Sequence, residues 1–321
     1  MLKLPISAIV PTRNRSQPLA RTLHSLAQQS VQPVEMIVID GSSDDTTQKL
    51  CQSQIPGLTT DIKYYRATEI GAATQRNQAM LHANQNFIWL MDDDILLEPE
   101  CLIRLWKALQ SDIHLGGVNA MITNQRYLPP GRISRWLFMF LHGRLETTYA
   151  GKCIGPGLNL LPEDDANLPE IVPVEWLNTT CTLYRREVLP QPLFPANFTG
   201  YSLMEDVTLS LVVGKQWKLA NVRTARIFHD SQPGDHKNNS GVLAKMDLVN
   251  RHYVMTQILQ KCSLGDYIKL IVLQLFGIFA SLTSTKGWIS LPFVLNGKLQ
   301  AIAEIIFSLN SSRSLKQGNQ P

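Results

Sequence analysis

The sequence predicts an α/β protein whose centre is a Rossmann-like, mostly parallel sheet flanked by helices, followed by an apolar helical C-terminal extension. Two observations predict the sheet. Short strands alternate with helices, and each strand is apolar throughout rather than at every second position. Such strands are buried on both faces, which right-handed crossover helices make possible. A third observation, a strongly apolar run at 268–281, predicts the extension.

The first third of the chain alternates regularly between the two kinds of element. Its hydrophobic pattern predicts strands at 6–10, 34–39, 62–65 and 87–91. It predicts the helices that follow these strands at 17–29, 46–54, 72–84 and 98–109. Beyond this point the pattern loosens, and the turn-forming clusters at 116–117, 129–131 and 155–157, the first of which is Gly116-Gly117, are interpreted as breaks between elements. The aromatic stretch 134–141 is interpreted as a core helix, with a flap over the site as the alternative. The domain closes with a strand at 174–184, a helix at 205–214 and one or two strands over 219–228.

The apolar run at 268–281 is shorter than the roughly 20 residues that a spanning helix needs. Lys269 and Gln274 interrupt it, and a second helix-like run follows at 299–307. We therefore expect helical packing or shallow attachment at a membrane interface, with peripheral membrane contact through 266–307.

Composition excludes some classes of function. The formal net charge of +4 and the sequence pI of about 8.8 are too mild for a nucleic-acid binder, but they suit an anionic substrate or membrane surface. The five cysteines are widely spaced and form no Cys-x-x-Cys pair, so we expect reduced thiols. With no secretion signal at the N-terminus, the expected location is the cytoplasm, at the inner face of the cell membrane if the tail attaches there.

Three consecutive carboxylates, Asp92, Asp93 and Asp94, directly follow the apolar strand that ends at Met91. Carboxylates packed this closely repel one another and need a cation to stay ionised together. Hard oxygen ligands at a strand end suit Mg²⁺ or Mn²⁺ that also binds substrate phosphates. The alternative is a solvated acidic turn, but its position after a buried strand favours the metal site.

Four further segments, in order along the chain, carry a resemblance. They are Val-Pro-Thr-Arg-Asn-Arg at 10–15, Asp-Gly-Ser-Ser-Asp-Asp-Thr at 40–46, Gly-Ala-Ala-Thr-Gln-Arg-Asn at 71–77 and Tyr-Ser-Leu-Met-Glu-Asp-Val-Thr-Leu at 201–209. Together with the acidic cluster they resemble glycosyltransferase family 2, whose members have the GT-A fold. The resemblance covers roughly the first 230 residues. It implies a GT-A catalytic domain at 1–235, with a nucleotide-sugar-binding half at 1–115 and an acceptor-binding half at 116–235. The helical extension is then 236–321.

The resemblance also implies roles for individual residues. The nucleotide sugar would be bound by Pro11, Thr12, Arg13, Asp40, Arg76, Asp92 and Asp93. The metal, Mg²⁺ or Mn²⁺, would be bound by Asp94, Asp92 and His229. The catalytic base would be Asp206, with Trp176 and Glu205 on the acceptor side. For Arg76, a contact with the diphosphate and a bracing role toward Asp92 to Asp94 are both open, because a guanidinium group suits either.

The sequence departs from the family pattern at two places, and these departures limit what the resemblance implies about the site. Gln75 stands where the family usually has alanine, which leaves Arg76 in register. Threonine replaces glycine in the stretch 176–181, which puts the donor specificity in doubt. No Gln-x-x-Arg-Trp element follows the base, so a single sugar addition is favoured over polymerisation.

The sequence thus predicts a metal-dependent, inverting, non-processive glycosyltransferase. It would move one sugar from a nucleotide-diphosphate sugar, with a UDP- or dTDP-sugar favoured, to a hydroxyl of a sugar or lipid-linked sugar acceptor in polysaccharide or glycolipid synthesis. A non-catalytic nucleotide-sugar or carbohydrate-binding protein is one alternative. A nucleotidyltransferase is another, although the segment 10–15 contains no glycine-rich phosphate loop.

Overall fold

The computed structural model describes residues 1–232 and 239–317 of the chain. The described residues divide into two compact units. The first comprises 1–129, 147–153 and 159–232, and the second comprises 130–146, 154–158 and 239–317. The predicted domain boundary at 235–236 lies outside the described residues. The sequence had assigned 130–146 and 154–158 to the acceptor-binding half, whereas the structure groups both segments with the C-terminal helices.

The strands of the described chain are numbered in sequence order. They are β1 Leu2–Thr12, β2 Val31–Asp40, β3 Asp61–Arg66, β4 Phe87–Met91, β5 Ile95–Leu97, β6 Leu115–Ile122, β7 Cys153–Ile154, β8 Leu158–Asn159, β9 Ile171–Val174, β10 Cys181–Arg185 and β11 Lys218–His229. The helices are α1 Ser16–Ala27, α2 Thr46–Gln52, α3 Ala72–Met80, α4 Cys101–Ser111, α5 Arg132–His142, α6 Glu205–Val213, α7 Ser240–Tyr253, α8 Leu264–Ser281 and α9 Thr285–Gln317.

The first unit is built on a nine-stranded sheet in the order β3-β2-β1-β4-β10-β6-β11-β5, with β9 paired to β11. Strands β3, β2, β1 and β4 run parallel, and β10 is antiparallel to both of its neighbours. Helices such as α1 and α4 bury their apolar faces against it. The predicted α/β class with a large, mostly parallel sheet is confirmed. Because β1, β2 and β4 are parallel neighbours, their carboxyl ends meet at one edge.

Strand β6 was missed by the sequence interpretation, because the pair Gly116 and Gly117 was read as a break between elements. The structure explains both glycines by close packing. A Cβ on Gly116 would lie 2.7 Å from Cβ of Trp217, and one on Gly117 would lie 2.5 Å from Cδ1 of Tyr184. Neither position has room for a side chain, so a strand that pairs with β10 and β11 here requires glycine.

The predicted strand at 174–184 is wrong as a single element. The structure has two strands there, β9 and β10, separated by the segment 175–180. The Asn178 side chain accepts the backbone N–H of Thr180 (3.2 Å), and the Asn178 carbonyl accepts the hydroxyl of Thr182. These local bonds satisfy the backbone in place of a strand partner and turn the chain.

The predicted core helix at 134–141 is also corrected. Helix α5 buries only Leu137 and Leu141, while Trp136 and Phe140 are exposed. Further on, Ser263 begins α8 with a capping box to Asp266, so this helix is longer than the predicted run at 268–281. By length and composition alone, Leu264–Ser281 and Thr285–Ser308 could each cross a membrane.

Candidate active site

The acidic cluster lies at the carboxyl end of β4, a strand whose residues from Ile88 to Met91 are fully buried. The backbone N–H of Asp92 donates to the carbonyl of Thr180 (3.0 Å), which fixes the point where the chain leaves the sheet. Asp93 and Asp94 are each only 4% exposed, whereas Asp92 is partly open to solvent. The strand edge therefore concentrates three acidic groups in a small, largely buried volume.

Asp92, Asp94 and His229 form the candidate metal centre. One ligand atom from each residue lies within 4.8 Å of the others. His229 is the last residue of β11, and its pairing opposite Ile95 of β5 holds the imidazole Nε2 at 3.1 Å from Oδ1 of Asp94. Two carboxylates and an imidazole are a donor set that suits Mn²⁺ or Mg²⁺. The residues present therefore fit the divalent ion predicted from the sequence, and the structure brings all three together.

Arg15 was not assigned a role from the sequence, yet it lies against the same cluster. Its Nη1 is 3.3 Å from Oδ1 of Asp93 and 3.2 Å from Oδ2 of Asp94. Thr12 donates its hydroxyl to the other oxygen of Asp93 (2.6 Å). The loop after β1 thus supplies a cation and a hydroxyl donor directly to the carboxylates at the end of β4.

The two buried carboxylates have opposite pKa shifts. Burial and the charges of Asp94 and Asp92 raise the pKa of Asp93 to about 7, against the hydrogen bond from Thr12 and the charge of Arg15. Burial also acts to raise the pKa of Asp94, but the hydrogen bond and charge of His229, with further help from Arg15, outweigh it and lower that pKa. Asp94 is therefore the carboxylate that stays ionised at neutral pH.

Arg76 links the acidic cluster to the helix that carries the candidate base. It lies on α3 and is 2% exposed. Its Nη2 donates to Oδ1 of Asp92 (2.6 Å), and its Nη1 pairs with Oε1 of Glu205 in the first turn of α6. Of the two roles left open by the sequence, the geometry of these residues corresponds to the bracing role, because both terminal nitrogens are taken by carboxylates.

Asp206, the candidate base, lies beside Glu205 in the first turn of α6. Its Oδ1 accepts the backbone N–H of Val207 (2.7 Å). Burial raises the pKa of Asp206 to about 6, with a further contribution from the charge of Asp92, and the charge of Arg76 opposes the rise. Burial raises the pKa of Glu205 to about 7. A carboxylate with a pKa close to neutral pH is suited to accept a proton from a hydroxyl.

The loop that leads into α6 has an uncommon backbone. Gly200, Ser202 and Met204 all have positive φ angles, of 62°, 57° and 73°. Gly200 also forms a bridge with Gly71, whose carbonyl begins helix α3 through the N–H of Gln75. The backbone of this loop is thereby held next to the start of the helix that carries Arg76.

The remaining nucleotide-side residues lie at the ends of β1 and β2. Asp40 is 1% exposed, and its carboxylate accepts the backbone N–H of Ser42 (2.8 Å) and the hydroxyl of Tyr64 (3.0 Å). Pro11 is partly buried, and Arg13 is exposed with its Cβ near Gly41. The loop after β1 and the loop after β2 thus lie at the same sheet edge as the acidic cluster, because β1, β2 and β4 are parallel neighbours.

Trp176, predicted on the acceptor side, is 6% exposed, and its indole N–H donates to the carbonyl of Leu160 (2.7 Å). Its ring is therefore part of the packed interior of the first unit. Gln75, noted from the sequence only as a departure from alanine, donates from Nε2 to the carbonyls of Thr12 (2.9 Å) and Ile39 (2.8 Å). This side chain ties the ends of β1 and β2 together, and its polar character at a helix position was the signal that could have revealed it.

The fold and the site together define a GT-A protein. Two solved structures share the fold: a mannosyltransferase, PcManGT, from Pyrobaculum calidifontis in complex with GDP-Man and Mn²⁺, and S. aureus TarS 1–349 in complex with UDP-GlcNAc. The first has a TM-score of 0.55 and 14% identity over 93% of this chain and 87% of that one. The second has a TM-score of 0.55 and 19% identity over 92% and 79% of the two chains.

Residues 7–158 match the family described as Glycosyl transferase family 2, which is the family that the motifs resemble. A PGL/p-HBAD biosynthesis glycosyltransferase of Mycobacterium tuberculosis is 29% identical over 137 residues, which are 41% of this chain and 54% of that protein. Validoxylamine A glucosyltransferase of Streptomyces hygroscopicus subsp. limoneus is 33% identical over 99 residues, 30% of this chain and 21% of that protein. The matched regions therefore span at most about half the length of these relatives.

Proposed function

We propose that the chain is a metal-dependent glycosyltransferase that transfers a single sugar, with inversion, from a nucleotide-diphosphate sugar to a hydroxyl acceptor in polysaccharide or glycolipid synthesis. One observation carries the proposal: Arg76 joins a candidate metal centre of three side chains at a strand end to the helix turn that holds Asp206. Donor-side charge and an acceptor-side base are the two elements that such a transfer needs.

On the donor side, Asp92, Asp94 and His229 would hold Mn²⁺ or Mg²⁺, which supplies positive charge to the leaving diphosphate when it is bound. The low pKa of Asp94 keeps that ligand ionised. Arg15 reaches the same carboxylates and carries a fixed positive charge to the place where the diphosphate would lie. The loops after β1 and β2, with Asp40 and Arg13, provide the groups for the nucleoside part.

On the acceptor side, Asp206 would accept the proton of the attacking hydroxyl as the bond to the anomeric carbon forms. Its pKa of about 6 keeps most of it ionised at pH 7 and above. Glu205 would orient Arg76 rather than react, because its carboxylate is buried against that guanidinium. Direct attack by the deprotonated acceptor in one displacement, with Asp206 as the only base, predicts inversion of the anomeric centre.

Two proteins of the same fold were solved with nucleotide sugars, GDP-Man in one case and UDP-GlcNAc in the other. They support a nucleotide-sugar donor here. Within that class, we keep UDP- and dTDP-sugars as the favoured donors, and a sugar or lipid-linked sugar as the acceptor. We place the reaction in the cytoplasm at the inner face of the membrane, with contact through 266–307.

The test is a panel of UDP-, dTDP- and GDP-sugars, each measured for protection against thermal unfolding with and without Mn²⁺. We expect one nucleotide class to raise the melting temperature, and Asp94→Asn to abolish the Mn²⁺-dependent part. Asp61→Asn is a matched control, because this aspartate is exposed on β3. If no nucleotide sugar or nucleotide diphosphate stabilised the chain, donor binding would be refuted. Retention of the anomeric configuration in the product, read from NMR coupling, would refute the single displacement.

A further inference from the structure

The second unit carries large apolar side chains that are exposed along one stripe of helix α5. Ile133, Trp136 and Phe140 are spaced by three and four residues, so they lie on one face of the helix. Trp136 is 69% exposed and Ile133 is 76% exposed. Leu137 and Leu141, on the adjacent side of the helix, are buried. The helix therefore buries one apolar side and exposes another.

Helix α8 repeats the arrangement over a greater length. Its exposed large apolar residues follow one another at intervals of four, three, four and four, which is a single helical stripe: Leu264, Ile268, Ile271, Leu275 and Phe279. Leu270 and Leu273 are buried on the opposite side, and Leu270 belongs to a small apolar cluster with Leu248, Met255 and Ala301. A helix of 18 residues is about 27 Å long, so the stripe is continuous over that distance.

Helix α9 carries a third and broader stripe over residues 288–307, which covers about half of the helix circumference. Its exposed large apolar residues are Trp288, Ile289, Phe293, Leu295, Leu299, Ile302, Ile306 and Phe307. Ala301, by contrast, is fully buried in the cluster shared with α7 and α8. Both α5 and α9 pack against α8. Three neighbouring helices of one unit thus expose apolar faces, which is far more than isolated surface residues on an ordinary soluble domain.

Polar and charged contacts also join α8 and α9 to α7, which distinguishes them from a pair of spanning helices. Gln274 of α8 donates to Oδ2 of Asp247 on α7 (3.0 Å), and Lys298 of α9 pairs with the same carboxylate at 3.8 Å. Lys245 and Glu304 form a second ion pair between α7 and α9 (2.8 Å). A helix that crosses a bilayer alone is apolar all round, whereas these two helices also carry Gln274 and Lys298 toward Asp247, beside the buried Leu270 and Ala301.

Charge indicates which partner the apolar faces meet. The segments 130–146 and 261–308 carry seven basic residues against three acidic ones, namely Arg132, Arg135, Arg144, Lys261, Lys269, Lys286 and Lys298 against Glu146, Asp266 and Glu304. Apolar stripes with basic residues on their helices are typical of interfacial helices on anionic lipid. A second copy of this chain would bring the same positive charges together, so electrostatics disfavours it as the occupant.

We propose that α5, α8 and α9 form a membrane-docking face that lies in the plane of an anionic bilayer surface, with the three apolar stripes inserted at the level of the headgroups. This docking face rests on the proposed function in one respect, because its role would be to bring the transferase to a lipid-linked acceptor. It extends the membrane contact expected at 266–307 to helix α5. It also assigns an in-plane rather than a spanning geometry.

The experiment measures binding of the full chain to sedimented vesicles, without any nucleotide sugar, so that its outcome is independent of transferase activity. One vesicle preparation is pure phosphatidylcholine and the other contains phosphatidylglycerol. We expect stronger binding to the second and release by high salt. Leu275→Ser combined with Phe279→Ser, and separately Trp136→Ser, should each weaken the vesicle affinity at least about tenfold, because each removes large apolar side chains from the bilayer contact.

Leu81→Ser is the matched control, because this leucine is 82% exposed in the first unit and should leave vesicle binding unchanged. An unchanged thermal unfolding curve for each variant separates lost binding from lost folding. Absence of vesicle binding by the parent chain would overturn the proposal, as would equal binding after substitution of the stripes. Resistance to extraction by alkaline carbonate would show a spanning geometry instead. A dimer in solution that the same substitutions dissociate would show that a second copy covers this face.

Discussion

Replacing Asp206 with asparagine tests the candidate base with little change of shape. The amide oxygen can still accept the backbone N–H of Val207, which Oδ1 of Asp206 accepts at 2.7 Å. The substitution removes the negative charge and the capacity to take a proton. Because positioned general bases contribute about 10²- to 10⁴-fold, we expect kcat to fall by that factor. Binding of the nucleotide sugar, measured by thermal shift, should be retained.

The pH dependence gives a second, independent measure of the same residue. With a pKa of about 6, Asp206 is protonated progressively as the pH falls through 6. About nine-tenths of it would be ionised at pH 7 and about one-tenth at pH 5, so kcat/KM should fall roughly tenfold between these values. The acid limb of the profile should be absent from the residual activity of Asp206→Asn.

The assay follows transfer of a radiolabelled sugar to acceptor at saturating Mn²⁺, from pH 5 to pH 8. Asp61→Asn serves as the matched control, since it removes an exposed carboxylate of the same unit and should leave both the rate and the pH profile unchanged. The assignment of the base would be refuted if Asp206→Asn kept more than about a tenth of the parent kcat. Persistence of the acid limb in that variant would refute it equally.

Three further outcomes are expected. Arg76→Ala should lower the free energy of unfolding by about 3–5 kcal/mol in chemical denaturation, because it leaves two carboxylates near one another without their buried counter-ion; an unchanged midpoint would contradict this. Gly117→Ala should cost about 1–3 kcal/mol by the same measurement, since its Cβ would overlap the ring of Tyr184, and a neutral result would argue against the close packing. Arg15→Ala should tighten Mn²⁺ binding by about tenfold in calorimetry without nucleotide, because the substitution removes a positive charge 3.2 Å from Asp94. Weaker Mn²⁺ binding would show that Arg15 supports the ion rather than opposes it.

The sheet and its acidic edge could be predicted from the sequence because both depend on local pattern. Apolar strands separated by helices specify parallel neighbours, and parallel neighbours bring their carboxyl ends together. The clustering of 10–15, 40–46 and 92–94 follows directly. The convergence of His229 with Asp94 was predicted from the family resemblance, since nothing in the spacing of 135 residues indicates that contact.

Other features depended on contacts between distant segments and could not be predicted from the sequence. The two glycines of β6 looked like a break until Trp217 and Tyr184 were seen to occupy the space of their side chains. Helix α5 looked like a core element because its apolar residues outnumber its polar ones, yet its Trp136 and Phe140 are exposed. Arg15 carried no local signal that distinguished it from an exposed arginine such as Arg13.

The ion pairs around Arg76 make the base depend on the state of the donor side. The negative charge of Asp92 is one of the causes that raise the pKa of Asp206, and the positive charge of Arg76 opposes it. A cation bound at Asp92 would cancel the first effect, so the pKa of Asp206 should then fall below 6 and more of the carboxylate should be ionised. Asp92 directly follows β4 and Asp206 lies on α6, more than a hundred residues later in the chain, so the coupling arises from the fold and not from either motif. In the enzyme without nucleotide sugar, the pKa of Asp206 measured by NMR titration of its carboxyl carbon should therefore be lower in saturating Mg²⁺ than without the metal.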